Sequence, residues 1–337
     1  MVKAHESLNK HLMEKKIMFS GMNDKKISAL YRTGIFVTTM VVMTFVFVGV
    51  VSAAPKQKQK VFAAGQEGVN ALVKAIREGD KKELLAIFGS GANDLISSGD
   101  EVADKQKREM FVKAYDEQSS ITPEGDKLVL IIGKNAWPFP IPLIKQDGQF
   151  IFDTAAGKEE ILNRRIGQNE LDSIQVMLAI VDAEREYAMK SRDSNGLLGY
   201  AQKFKSDPGK KNGLYWDTKE GEEPSPLGLF AAKAKEEGYS GKKSSEKPQP
   251  YHGYLYRIIT AQGKHAAGGA FDYIVNGKMI GGFAVIAHPA QYGNSGVMTF
   301  IVNHDGVVYQ KDLGKNTGKK SQAMKLFDPD KTWTKSQ

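Results

Sequence analysis

The sequence predicts an α+β protein, with helices ahead of one antiparallel sheet and a second antiparallel sheet near the C-terminus. Three observations carry this. Apolar residues recur at helical spacing in several segments between 66 and 190. Short β-branched and aromatic runs, bounded by Gly, Pro, Asn and Asp, fill 127–153 and 251–311. The pairs Asp147-Gly148, Asn276-Gly277 and Asp305-Gly306 sit between such runs, and two-residue turns of this kind join antiparallel strands.

Taken in order, residues 66–78 carry Val69, Leu72, Val73 and Ile76 on one helical stripe. Gly79-Asp80 ends that helix and starts another holding Leu84, Leu85, Ile87 and Phe88. A third runs from about Asp104 to Glu117, before the turn cluster Pro123–Asp126. Residues 127–133 (KLVLIIG) read as a strand, and Phe139–Ile144 as an extended segment whose prolines suit a sheet edge. Asp147-Gly148 turns the chain into Gln149–Asp153. The longest helix is expected over Glu159–Lys190, with Leu171, Ile174, Leu178 and Val181 on its buried stripe. From Asn195 to Pro250 the composition shifts to Gly, Pro, Ser and Lys, with a short helix near Phe230–Glu237 and a solvated stretch over Lys242–Pro250. Strands are then expected over Tyr251–Thr260, Phe271–Asn276, Gly281–His288, Val297–Asn303 and Val307–Lys311, a meander of about five.

The front of the chain is different in kind. Gly34–Val50 is seventeen residues without a charge, preceded by seven Lys/Arg and followed by Val51-Ser52-Ala53. A basic region, an apolar region and small residues before a cut describe a secretory signal peptide over residues 1–53. Cleavage after Ala53 avoids placing Pro55 first in the mature chain, and a start at Met22 would give a more ordinary basic region. The alternative is an uncleaved anchor, because a spanning helix needs roughly 17 to 25 residues. Either way the remainder is expected in the periplasm, soluble or tethered to the inner membrane and facing outward, with membrane contact only through 34–50. The expected organisation is a linker at 54–64, an α+β domain at 65–194, a connecting region at 195–250, an antiparallel sheet domain at 251–327 and a tail at 328–337.

Beyond residue 53 the chain holds 40 basic and 36 acidic residues, a net charge of +4 against +8 for the whole. Much of the basicity is therefore leader, which argues against a nucleic-acid partner. There is no cysteine, which excludes disulfides, thiolate metal ligands and a cysteine nucleophile.

Four histidines follow the leader: His252, His265, His288 and His304. Their spacing matches no zinc signature, and no phosphate loop is present, so neither metal nor cofactor is expected. Ser295 in Gly293-Asn-Ser-Gly296 precedes a strand-like run, so a tight turn is expected there and not a nucleophile elbow. Glu159 and Glu160 are adjacent on a helix and do not face each other across a cleft. Arg164-Arg165 is expected to lock the long helix onto the sheet. The catalytic candidates are His252, Asp272 and His288, imagined as a cleft on the Tyr-rich strand. The competing reading is cross-strand packing. Trp137, Tyr254 and Arg257 are the ligand-binding candidates, Trp137 as part of an N-terminal pocket wall.

Three resemblances add to this. Short helices followed by a curved antiparallel sheet resemble the cone of the nuclear-transport-factor-2-like superfold. Trp137-Pro-Phe-Pro, Phe152-Asp-Thr-Ala-Ala-Gly157, Ile161-Leu-Asn-Arg-Arg165, Tyr251-His-Gly-Tyr254, Gly293-Asn-Ser-Gly-Val-Met-Thr-Phe300 and Tyr309-Gln-Lys-Asp-Leu-Gly314 resemble, in order, an uncharacterised bacterial exported family, domain of unknown function 2950. That resemblance implies an exported envelope protein and transfers no activity. Phe283–Gly293 with Gly296–Phe300 and Asp305-Gly306 is similar to the C-terminal sheet of type IV pilins and type II pseudopilins, without their N-terminal assembly helix. The function expected is a non-enzymatic envelope protein binding another protein or a cell-wall component. The alternative is a cysteine-independent hydrolase of glycan or peptide.

Overall fold

The computed structural model describes residues 58–191, 196–219, 221–239 and 248–336. The signal-peptide reading of 1–53, with its apolar segment 34–50, lies outside the described residues. Among the described residues no helix is long and apolar enough to cross a membrane.

Four helices come first. Helix α1 (Gly65–Glu78) buries Val69, Leu72 and Val73 and stops at Gly79, whose left-handed φ of 67° lets its N–H reach back to the Ala75 and Ile76 carbonyls. Helix α2 (Lys81–Phe88) starts at Asp80, whose carboxylate accepts the Glu83 N–H. A single turn, α3 (Asn93–Ile96), leads to α4 (Glu101–Glu117), capped in the same way by Asp100. They pack on an antiparallel sheet of β1 (Ser119–Glu124), β2 (Lys127–Ile132), β3 (Trp137–Pro138), β4 (Leu143–Gln146) and β5 (Gln149–Phe152). Its order is β1-β2-β4-β5, with β3 also pairing β2. Phe62, Leu72, Ile87, Leu130, Leu143 and Phe152 form the first core.

Two expectations change here. The sequence SSITPE is a strand, and the turn lies at Gly125 instead of starting at Pro123. Its side chains are almost all exposed, so no alternation marks it. Pro140 and Pro142 occupy the link between β3 and β4, not an edge strand.

Helix α5 (Thr154–Ala188, 35 residues) follows, begun by the Asp153 side chain accepting the Ala156 N–H. At about 1.5 Å per residue it is roughly 50 Å long, and it reaches from the first core into a second. Leu171 is exposed, contrary to the expected stripe. The buried face is instead Arg165, Asn169, Ser173, Val176, Met177, Ile180, Val181, Glu184 and Tyr187. Its polar members find partners on neighbouring segments: Arg165, Asn169 and Glu184 bond backbone groups and Ser173 accepts the Tyr256 hydroxyl, a pattern that apolar spacing does not show. Near the start of α5, a Cβ on Gly157 would sit 2.4 Å from the Pro140 carbonyl oxygen, so the helix approaches that link as only glycine allows.

After α6 (Gly228–Glu236), the chain forms β6 (Tyr254–Ile259), then two small ladders set apart from the main sheet. These pair β7 (Ala261–Gln262) with β8 (Phe271–Asp272), and β9 (Ile274–Val275) with β10 (Lys278–Met279). Three long-range strands return: β11 (Ala284–Pro289), β12 (Met298–Asn303) and β13 (Tyr309–Asp312). Helix α7 (Thr317–Ala323) and edge strand β14 (Thr334–Lys335) close the described chain. The main sheet is β14-β13-β12-β11-β6, antiparallel throughout. It has five strands, but Phe271–Asn276 is not one of them, and β14 takes the fifth place. Tyr254, Phe283, Val285, Ile286, Phe300 and Val302 are wholly buried in this second core. Helices and antiparallel sheets in separate runs make the protein α+β.

Candidate functional site

A pocket of about 320 Å³ opens between the first helices and the first sheet. Each element contributes because its apolar stripe runs past the core: Ile76 from α1, Leu84 and Phe88 from α2, Phe111 from α4 and Ile161 from α5. The opposite wall is Trp137, Phe139 and Ile141. Phe139 is the hub of an aromatic cluster, with ring centroids 5.6 Å from Phe111, 6.2 Å from Trp137 and 6.4 Å from Phe88. The Trp137 ring is partly exposed, and the Arg164 guanidinium lies over it at 5.6 Å, within cation–π range.

Apart from Gln168, the lining is apolar except for one group of charges. Lys107, Arg108, Arg164 and Arg165 supply four cations, against the single carboxylate of Asp104. Asp104 is buried and accepts the Ser98 N–H at 2.9 Å and the Ser97 hydroxyl at 3.3 Å. Arg164 pairs with Glu160 at 2.6 Å, one helical turn away. Arg165 is buried and donates to the carbonyl oxygens of Asp94 and Leu95 and to the Asn294 side chain, the last two at 2.7 and 2.5 Å. Desolvation draws its guanidinium below its usual range, with Asp104 and Asp94 pulling the other way; it stays protonated. Lys107 and Arg108 line the same wall and make no hydrogen bond or close ion pair among the described residues. Desolvation, and then the nearby Arg165 charge, hold the Lys107 ammonium below its ordinary range, with Asp104, Asp100 and Asp172 pulling the other way.

Beside the pocket lies a second polar cluster, reached along α5 through Gln168, which lines the pocket and donates to Asp172 at 2.9 Å. His252 is flanked by Asp172 and Glu237, each at 3.7 Å from one ring nitrogen. Tyr251 packs edge-on against the imidazole at 4.1 Å and donates to Glu237 at 3.0 Å. Tyr239 donates to Asp100 at 2.9 Å, and the Gly253 N–H donates to the same carboxylate oxygen at 3.0 Å. Burial above all, then these carboxylates, pushes both phenols well above the usual tyrosine range.

The local backbone explains the position of His252. His252 and Gly253 both have positive φ, 49° and 74°, between Tyr251 and Tyr254, which exchange backbone hydrogen bonds of 2.9 and 3.1 Å. This is the geometry of a two-residue turn that asparagine and glycine tolerate better than histidine. Asparagine relieves part of the left-handed cost, so His252→Asn should raise stability by about 0.5 kcal/mol, read as a small increase in thermal midpoint.

The expected catalytic cleft does not assemble. His252 precedes β6, while Asp272 is exposed on β8 and pairs with Ala261, beyond the far end of β6. Nine residues of extended chain at about 3.3 Å each separate the two ends by up to about 30 Å. His288 lies opposite Leu255, on the same face as Arg257 and Ile286. That face looks toward α7, since Arg257 donates to the Ser321 and Met324 carbonyls at 2.8 and 2.7 Å. Tyr256, of opposite parity, donates to Ser173 on α5. His252 contacts the α5 side through Asp172 and His288 the α7 side. Burial, and then Arg257, lowers the His288 pKa, and its Nδ1 sits 3.1 Å from the Pro289 carbonyl.

Of the ligand-binding candidates, Trp137 lines the pocket. Tyr254 is wholly buried, donating to the Met298 carbonyl at 2.9 Å, and Arg257 ties down the C-terminal end of α7. Ser295 is buried in a turn where its hydroxyl accepts the Gln291 N–H at 2.9 Å. Arg165 does pin α5, but to α3 and the Asn294 loop, not to a sheet. Among the described residues no three acidic or histidine side chains are placed to hold a metal ion.

Sequence reasoning passed over Lys107, Arg108 and Phe111. The available signal was a basic pair one turn before an aromatic residue on α4, facing the same way as Arg164-Arg165 only once the helices pack.

No curated protein matches the chain, and no solved structure does. The cone-like and pilin-like resemblances therefore find no solved relative. The family model described as Protein of unknown function (DUF2950) matches residues 59–336, more than four fifths of the chain, and the chain belongs to that family.

Proposed function

We propose that this is an exported cell-envelope protein that binds a small ligand in the aromatic pocket of its first half, without acting on it chemically. One observation carries the binding reading: a cavity of about 320 Å³ that is apolar on its walls and charged at one side. Ligand sites are concave, mostly apolar and carry few polar groups. His252, Asp272 and His288 occupy separate places, which speaks against a hydrolase built on them. Nor is binding placed on the C-terminal sheet, whose two faces are covered by α5 and α7.

The neutral fluorophore N-phenyl-1-naphthylamine is expected to brighten and bind saturably. Ile161→Trp, which fills the pocket from α5, should abolish this without lowering the thermal midpoint. An unchanged titration in that variant would remove the pocket from consideration. Export is supported by the charge-free segment 34–50 and its basic flank. An alkaline phosphatase fusion after residue 57 is expected to be active in a two-membrane bacterium and inactive once 34–50 is deleted.

A further inference from the structure

We infer that the pocket takes a single-chain amphiphile with an anionic head, its chain among the aromatic walls and its head against Lys107 and Arg108. This rests on the pocket being a binding site. Size argues for one chain, because about 320 Å³ lies at the small end of the roughly 300–1,000 Å³ range of ligand sites. A two-chain lipid would leave one chain in water.

Charge argues for the anion. Of the four cations in the lining, Arg164 is engaged by Glu160 and Arg165 by backbone carbonyls and Asn294. Lys107 and Arg108 line the pocket and make no hydrogen bond or close ion pair among the described residues, while Asp104, Asp100 and Asp172 act on Lys107 from beyond ion-pair distance. The one carboxylate present, Asp104, is occupied by Ser97 and Ser98. Neighbouring ammonium and guanidinium groups at one pocket wall repel each other, and a carboxylate or phosphate head relieves that repulsion with charge-assisted hydrogen bonds. A neutral head would leave the two cations as they are, and a cationic head would add repulsion.

The test is displacement of N-phenyl-1-naphthylamine from the purified chain by four ligands of equal chain length. These are dodecanoate, dodecyl phosphate, dodecanol and dodecyltrimethylammonium. At least one anion should bind tenfold or more tightly than dodecanol, with the cation weakest. Whichever anion is stronger assigns the head as carboxylate or phosphate. The double variant Lys107→Gln, Arg108→Gln should bring both anions within about twofold of dodecanol and leave dodecanol unchanged. Equal binding of anions and dodecanol to the parent chain overturns the inference, as does a preference that survives the double substitution. So does fluorophore binding that none of the four displaces. Failure of the fluorophore itself to bind strikes the pocket reading instead, and the inference falls with it.

Discussion

Arg165→Met is expected to lower the unfolding free energy by about 3 kcal/mol. The guanidinium is buried on α5 and is the donor for three acceptors on two other segments: the carbonyls of Asp94 and Leu95, and Asn294. Methionine matches the stem but donates nothing, so these acceptors lose their partner in a site with little water. Each unsatisfied buried polar group costs roughly 1–3 kcal/mol. Asn294 also donates to the Ser97 carbonyl and to Gln291, so its loop should loosen as well. Arg165→Lys should recover little, because one ammonium cannot reproduce a planar fork. Urea midpoints for the three proteins, at an unchanged slope, decide it. A methionine variant within 1 kcal/mol of the parent would show that Arg165 pins nothing.

A second large effect should appear only when pH is varied. Glu184 is wholly buried, with one carboxyl oxygen accepting the Ala201 N–H at 2.8 Å and the other without a partner among the described residues. Burial pushes its pKa up to about 8, from 4.5 in the open chain, with the Ala201 hydrogen bond opposing. The folded protein therefore keeps this proton where the unfolded chain has lost it. Its contribution is complete below about pH 4.5 and is lost as pH climbs through about 8. Glu184→Gln keeps the acceptor for Ala201 and cannot ionise. It should be more stable than the parent by on the order of 3 kcal/mol near pH 7 to 8 and nearly equal to it near pH 4.5. Parallel stability curves for the two proteins across that range would show that Glu184 is ionised in the fold.

Much of the architecture was legible because local chemistry and packing agree. Asp80 and Gly79 bracket α1 and α2 as their residue types demand, and Asp147-Gly148 and Asn276-Gly277 turn with the positive φ that such pairs favour. What escaped was set by tertiary partners. The strand β1 is polar and exposed, so pairing with β2 alone defines it. The buried face of α5 is part polar, which is why Leu171 looked like a core residue and Asn169 did not. β14 adds to the sheet from the far end of the chain, with Trp333 buried beside it, and no local periodicity announces that. The pocket was visible only as a single tryptophan, because its charges and rings come from five elements. Strand parity and strand length, not residue type, separate His252, His288 and Asp272, and neither can be read from the residue types that suggested a cleft.

The length of α5 has a consequence for how the molecule comes apart. One continuous rod is a structural member of both cores, and the described residues fall in one compact unit, Ala54–Gln337. Fraying at either end strips cover from the neighbouring core and weakens the hold on the other. A single sharp melting event is therefore expected, where two independently folded halves would give two steps. A cut near the middle of the rod would yield two fragments, each with a raw oily flank and little prospect of surviving alone.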